Sequence, residues 1–287
     1  MAASYGHPEA LVETAWLAAH LNDPKLRILD GSFTLPGIGP SGPEIYARQH
    51  IPGAIFFDIE AIRDTANPLP HMLPDAATFA AAMSKLGVGN DHKVVVYDAF
   101  GLTSAPRVWW TLRVFGHKDV AVLNGGLPKW LAEGRTVTVD VPKFPPAAFD
   151  AKLDRNRVRD KTQMLANLRS KREQVIDARS AGRFTGEAPE PRAGLRGGHI
   201  PGSLSLPSDQ LIDKATRTVL PAEALAAKFR AAGLDPAKPA ATTCGSGVTA
   251  SALAFGMVLL GWPEPAVYDG SWSEWGLPGD TPVETGA

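Results

Sequence analysis

The chain predicts an α/β protein made of two tandem domains, each a parallel sheet flanked by helices. Three observations carry this: a weak internal repeat, β-branched strand-like runs alternating with helix-like runs, and a proline- and charge-rich stretch between the halves. The repeat is ordered. The first half reads Arg27-Ile28-Leu29-Asp30, His50-Ile51-Pro52-Gly53-Ala54, Lys93-Val94-Val95-Val96-Tyr97-Asp98, then Leu123-Asn124-Gly125-Gly126-Leu127 and Trp130. The second reads Val175-Ile176-Asp177-Ala178, His199-Ile200-Pro201-Gly202-Ser203, the run 240–244, then Tyr268-Asp269-Gly270-Ser271-Trp272 and Trp275. Short apolar strands separated by helical segments are the pattern of a parallel sheet covered on both faces.

Local signals agree within each half. Residues 93–97 are β-branched and suit a central strand. Residues 104–115 carry Pro106 near their start, where a helix tolerates proline. Residues 222–232 follow Pro221 and stop at Gly233, which predicts a helix between them. Proline crowds 140–149 and charge crowds 154–161, so the division expected is a first domain over 1–140, a linker over 141–165 and a second domain over 166–287.

Composition narrows the function classes. The 287 residues are 44% hydrophobic and 21% charged with a net charge of −1, an ordinary globular balance. That charge provides no general attraction to nucleic acid or anionic membrane, so small-molecule chemistry is expected. A single cysteine forms no intramolecular disulfide, which fits a reducing compartment. No apolar stretch reaches spanning length and the N-terminus lacks a signal-peptide core, so a cytoplasmic location is expected, an organelle remaining open. Neither metal-ligand spacing nor a phosphate or dinucleotide motif occurs, and no cofactor is expected.

That cysteine, Cys244, opens Cys244-Gly245-Ser246-Gly247-Val248-Thr249 between a strand-like and a helix-like run. Two glycines let the backbone curl so that several N–H groups converge on one centre, and a helix dipole adds positive potential. A thiol there loses its proton more readily, and the thiolate is the nucleophile. The competing reading is a buried structural cysteine. Asp98 holds the matching position in the first half, with Thr103 spaced as Thr249 is, and aspartate cannot do thiolate chemistry. The first half is therefore expected to be a catalytically silent copy that covers the cleft of the second.

Together these features resemble the tandem-rhodanese sulfurtransferases over nearly the whole chain. Supporting motifs are Arg183-Phe184-Thr185-Gly186 through Glu190-Pro191-Arg192, the two His-Ile-Pro-Gly segments, and Ser104-Ala105-Pro106-Arg107-Val108-Trp109-Trp110. The cysteine loop resembles that of the 3-mercaptopyruvate branch. Thiosulfate-preferring members carry basic residues after the cysteine, where this chain has Gly245 and Ser246.

The resemblance implies transfer of sulfur from 3-mercaptopyruvate through a Cys244 persulfide to a thiol, cyanide or thioredoxin-like acceptor, releasing pyruvate. It places Arg183 and Arg192 on the substrate carboxylate, since guanidinium groups bind carboxylates in pairs of hydrogen bonds. Gly245, Gly247, Val248 and Thr249 complete the expected substrate loop. Ser246, His71 and an acid behind it form a relay that protonates the leaving carbon. The family's acid is aspartate; here Glu60 matches, with Asp58 in reserve on the same face if that stretch is extended. Thr103 replaces a tyrosine usual in animal members, which implies altered substrate affinity.

Each residue has a plainer alternative: a solvated histidine for His71, surface ion pairs for the arginines, and a helix cap for Ser246. His50 and His199 occur once per half, which favours turn histidines bonded to backbone. Trp109 and Trp110 read as core or interface. The rivals are a thiosulfate:cyanide sulfurtransferase, a non-catalytic sulfur-binding module, and a cysteine phosphatase. The last is disfavoured because Val248 and Thr249 stand where a phosphatase loop ends in arginine.

Overall fold

The computed structural model describes residues 4–286 and builds the same ten-element series twice. The first domain runs β1 (Leu11–Val12), α1 (Thr14–Ala19), β2 (Leu26–Asp30), α2 (Gly42–Arg48), β3 (Ala54–Phe56), α3 (Ala76–Lys85), β4 (Lys93–Tyr97), α4 (Ala105–Val114), β5 (Val120–Leu123) and α5 (Gly126–Ala132). The second repeats it as β6 (Val158–Arg159), α6 (Lys161–Ser170), β7 (Gln174–Asp177), α7 (Ala181–Thr185), β8 (Leu204–Ser205), α8 (Ala222–Ala231), β9 (Ala240–Thr243), α9 (Ala250–Leu259), β10 (Ala266–Tyr268) and α10 (Ser271–Trp275). Both sheets are parallel, ordered β1-β5-β4-β2-β3 and β6-β10-β9-β7-β8. Both faces of a parallel sheet are covered, so β4 is nearly all apolar, with Val94, Val95, Val96 and Tyr97 fully buried.

The second sheet starts earlier than the sequence suggests. Val158 and Arg159 pair with Val267 and Tyr268, and α6 begins at Lys161, both inside the stretch 141–165 read as linker. Charge there marks helix capping instead. Asp160 accepts from the Gln163 amide, and the Gln163 side chain accepts from the Asp160 amide in return.

The repeat extends to its corners. His50 Nδ1 contacts the Tyr46 carbonyl at 2.8 Å and stacks on the Tyr46 ring; His199 Nδ1 contacts the Phe184 carbonyl at 2.9 Å and stacks on Phe184. Each also forms an isolated antiparallel bridge to the segment that returns along its domain, at Thr138 and Glu284. Trp130 and Trp275 donate to the carbonyls of Thr136 and Pro282, both at 2.8 Å. These histidines are the turn residues the sequence favoured.

The domains share one core. Helices α4 and α9 pack on each other across the boundary, and every residue of α9 is buried, consistent with a helix apolar all round. The Trp109 ring meets Phe255 edge-to-face at 5.1 Å, a pair worth about 1 kcal/mol beyond the area it covers. Both helices point their N-termini at the interdomain cleft, which fixes where the two loops preceding them meet.

Candidate active site

Strand β9 ends in the apolar core and delivers Cys244, 2% exposed, to the floor of a cavity of about 480 Å³ between the domains. Arg183, Arg192, Gly245, Ser246, Val248 and Thr249 line it from the second domain. The first domain contributes Phe33, Thr34, Leu35, Ile38, Phe100 and Thr103.

The cysteine loop is held from behind. The Cys244 carbonyl accepts from the Trp272 amide at 2.9 Å, and the Gly245 carbonyl accepts from the Ser273 amide and hydroxyl. The Cys244 amide donates to Ser271 Oγ at 3.2 Å, and that hydroxyl donates to the Tyr268 carbonyl. With carbonyls tied to α10, the loop is free to present its amides on the opposite side. Those of Ser246, Gly247, Thr249 and Ala250 find no acceptor among the described residues. In the first domain the equivalent loop is filled: Asp98 carboxylate oxygens accept from the amides of Phe100, Gly101, Thr103, Ser104 and Ala105, all at 2.8 Å. Five N–H groups around one anion make an anion nest. The second loop, one residue shorter and also followed by a helix, offers the same kind of cradle beside a sulfur.

Gly245 and Gly247 serve different ends. A side chain at Gly245 would come within 3.0 Å of Arg183 Nη2 and 3.8 Å of Arg192 Nη1, so both guanidinium groups stand against the loop next to the cysteine. Gly247, expected to contact substrate, is not among the cavity-lining residues. Its φ is +78°, and a Cβ there would lie 2.8 Å from Arg107 Nη1 and 3.0 Å from the Asp269 carbonyl. It is glycine because the loop turns left-handed against an arginine of the other domain.

Arg183 is oriented by a buried charge chain. Asp177 pairs with Arg179 at 2.7 Å, Arg179 with Glu190 at 2.8 Å, and Glu190 with Arg183 at 2.6 Å. Arg192 has no such partner among the described residues. Burial holds its pKa below the usual arginine range, while the nearby Cys244 and Glu60 oppose that shift.

Across the cleft, His71 sits in a left-handed backbone conformation, φ 61°, with its side chain fully buried. Its Nδ1 lies 2.9 Å from Ser246 Oγ and its Nε2 2.7 Å from Glu60 Oε1. The His71 hydrogen bond holds the Glu60 carboxyl below its ordinary range, with Arg63 and Arg192 adding to it against partial burial. The predicted trio is thus brought together although its members lie on both domains. Asp58 is not the partner: its stretch is a turn rather than a strand, and its carboxylate accepts from the Glu60 and Ala61 amides. It shapes the turn that aims Glu60.

The motifs contained further residues that the sequence left without roles. Arg107 Nη2 donates to the His71 carbonyl and pairs with Asp269 Oδ1 at 2.7 Å, both side chains almost completely buried. Asp269 Oδ2 accepts from the Leu73 amide at 2.8 Å. This interdomain pair clamps the His71 turn from both sides while touching the loop at Gly247. A charged pair inside two otherwise apolar motifs was the available signal. Phe33 meets His71 edge-on at 4.7 Å, and Arg217 lines the cavity; neither position has a sequence signature.

The Rhodanese-like domain family matches residues 13–133 and again 160–277. The chain belongs to the rhodanese family. It is 43% identical to the 3-mercaptopyruvate sulfurtransferase of Escherichia coli K12 over 270 residues, covering 94% of this chain and 95% of that one. It is 47% identical to the thiosulfate sulfurtransferase of Bos taurus over 273 residues, 93% and 91% of the two. A third relative, from Arabidopsis thaliana, is named a mitochondrial thiosulfate/3-mercaptopyruvate sulfurtransferase, at 42% identity over 96% of this chain and 78% of that one. The crystal structure of SseA from E. coli, a 3-mercaptopyruvate enzyme by its description, superposes with a TM-score of 0.84 at 40% identity, covering 92% and 99% of the two chains. No described helix is long and apolar enough to cross a membrane.

Proposed function

We propose that this rhodanese-family protein is a 3-mercaptopyruvate sulfurtransferase that passes sulfur through Cys244 to an external acceptor. The observation that carries the reading is the Ser246–His71–Glu60 chain beside the cysteine, at 2.9 and 2.7 Å. In the reaction, the Cys244 thiolate attacks the substrate sulfur. An S–S bond forms and the carbon–sulfur bond breaks, its electron pair passing into the enolate of pyruvate. That carbon then needs a proton, which Ser246 supplies, relayed through His71 with Glu60 holding the imidazole. Arg183 and Arg192, adjacent to Gly245, hold the substrate carboxylate. The amide cradle stabilises the persulfide anion as the Asp98 cradle stabilises a carboxylate.

The second step transfers the outer sulfur to cyanide, a small thiol or a thioredoxin-like protein, because the chain has no second cysteine to resolve the persulfide. A thiol acceptor on which this persulfide is discharged, and a cytoplasmic setting for the single reduced cysteine, belong to the same proposal. Thiosulfate is the rival donor. Its sulfite leaves without protonation of carbon, so the relay would be idle.

The test is two-part. Mixing with 3-mercaptopyruvate is expected to add one sulfur mass to the protein, removed by reductant and missing in Cys244→Ser. Steady-state turnover with cyanide is expected to favour 3-mercaptopyruvate over thiosulfate in kcat/KM. A clear thiosulfate preference overturns the donor assignment, and no sulfur adduct overturns the enzyme.

A further inference from the structure

Arg217 is a third cation in the active-site cavity, and the relay and the carboxylate clamp make no use of it. Three features set it apart from an ordinary surface arginine. It is exposed, yet its side chain makes no ion pair or hydrogen bond among the described residues. Its backbone is left-handed, φ 60°, a conformation that costs a residue with a Cβ energy and that persists only where the surroundings impose it. Those surroundings are built. Asp213 accepts from the amides of Ala215 and Thr216 and from the Thr216 hydroxyl. The Arg217 amide donates to the Asp213 carbonyl at 2.8 Å, and Ile212 bridges to Val219. The hairpin tip is then fastened to the other domain. The Val219 amide donates to Asn124 Oδ1 at 2.9 Å, and Gly101 approaches so closely that a Cβ on it would lie 3.0 Å from Arg217 Cβ.

The geometry separates the cations. Arg183 and Arg192 stand against Gly245, beside the buried sulfur; Arg217, exposed, stands by Gly101 of the other domain's loop. The same cavity is lined by Phe33, Leu35, Ile38 and Phe100, a largely apolar wall broken by Thr34 and Thr103. A small donor such as 3-mercaptopyruvate is short enough to be held wholly at the floor. A longer molecule that reaches from the sulfur to Arg217 gains by carrying an apolar chain for this wall and an anion for that cation.

We infer that Arg217 is a specificity residue for the acceptor half-reaction, selecting thiols whose carboxylate ends an aliphatic chain. This rests on the persulfide chemistry proposed above. The acceptor thiolate attacks the outer sulfur of the Cys244 persulfide. A new S–S bond forms, the old one breaks, and its electron pair returns to Cys244 as thiolate. The carboxylate meanwhile pairs with Arg217, and the chain lies on the apolar wall.

The probes are 3-mercaptopropionate, 6-mercaptohexanoate and 8-mercaptooctanoate, each against the neutral mercaptoalkanol of equal length, with 3-mercaptopyruvate as donor. The readout is the carboxylate-to-alkanol ratio of acceptor kcat/KM in wild type, Arg217→Ala, Arg217→Lys and Arg217→Glu. For the long chains the ratio is expected to fall about fivefold in Arg217→Ala, the size of a partly exposed charge contact. It should fall further in Arg217→Glu and be largely restored in Arg217→Lys. The ratio for 3-mercaptopropionate, too short to reach, is expected to stay as in wild type. Equal ratios in all four proteins, or a loss that is the same at every chain length, overturn the inference. Absence of any persulfide in the donor step instead overturns the reading on which it stands.

Discussion

The loops 98–105 and 244–251 are the same device with different centres. Each follows a central strand, turns left-handed at its fourth residue (Gly101, φ +110°; Gly247, φ +78°) and runs into a helix of the interdomain core. One is closed by its own carboxylate, which takes five amide hydrogen bonds. The other replaces that carboxylate with a single sulfur, leaving the amides for a charge that comes and goes. The comparison teaches that the cradle is an anion site in both domains: permanent and structural in one, transient and chemical in the other. The next difference is two residues on, where Phe100 supplies apolar wall and Ser246 supplies a hydroxyl to His71.

The largest expected effect falls on the filled loop. Asp98→Ala leaves five amides without their partner in the core and is expected to cost about 4 kcal/mol, with Asp98→Asn intermediate. The urea midpoint measures it, and a shift within error would show that the first cradle holds nothing in place. Cys244→Ala, by the same measurement, should move the midpoint far less, because its amides already lack an internal anion.

Much of this comparison was legible beforehand. The repeat aligned Asp98 with Cys244, and strand and helix runs such as 93–97 and 222–232 fell within a residue of the observed elements. Glu60, His71 and Ser246 came from motif resemblance; no pattern in the chain says that residues 175 positions apart touch. Periodicity reports which face of an element is buried, whereas the Arg107–Asp269 clamp and the position of Arg217 depend on how two domains dock, and the turn at Asp58 on a local carboxylate–amide contact that no period marks. The second domain's first strand was hidden for another reason: at two residues, Val158 and Arg159, it is too short to alternate.

The second test sharpens what the open loop requires. Ser246→Ala and His71→Gln are each expected to lower kcat for 3-mercaptopyruvate about 100-fold, the usual worth of positioned proton transfer, with KM little altered. Thiosulfate turnover, in which no carbon is protonated, should change by less than about threefold under the same principle of selective transition-state loss. Equal losses with both donors would mean that Ser246 supports the cradle rather than the proton, making the two loops more alike than the relay requires.

The smallest effect is at Glu60, the outermost group of the relay and about half exposed. Glu60→Gln keeps a hydrogen-bond acceptor for His71 but not the charge, so a loss of about tenfold in kcat is expected at neutral pH. Because the folded protein holds the Glu60 carboxyl below its ordinary value of 4.5, the group is ionised across the neutral and mildly acidic range. A depressed folded value means that its contribution is present above the unfolded value and is lost as pH falls through the folded one. The ratio of wild-type to Glu60→Gln activity should therefore stay flat from neutral pH down to about 5 and close only below 4.5. A ratio that closes near neutrality instead would mean that the charge on Glu60 is not what steadies the imidazole, and that the hydrogen bond alone separates this loop from its silent twin.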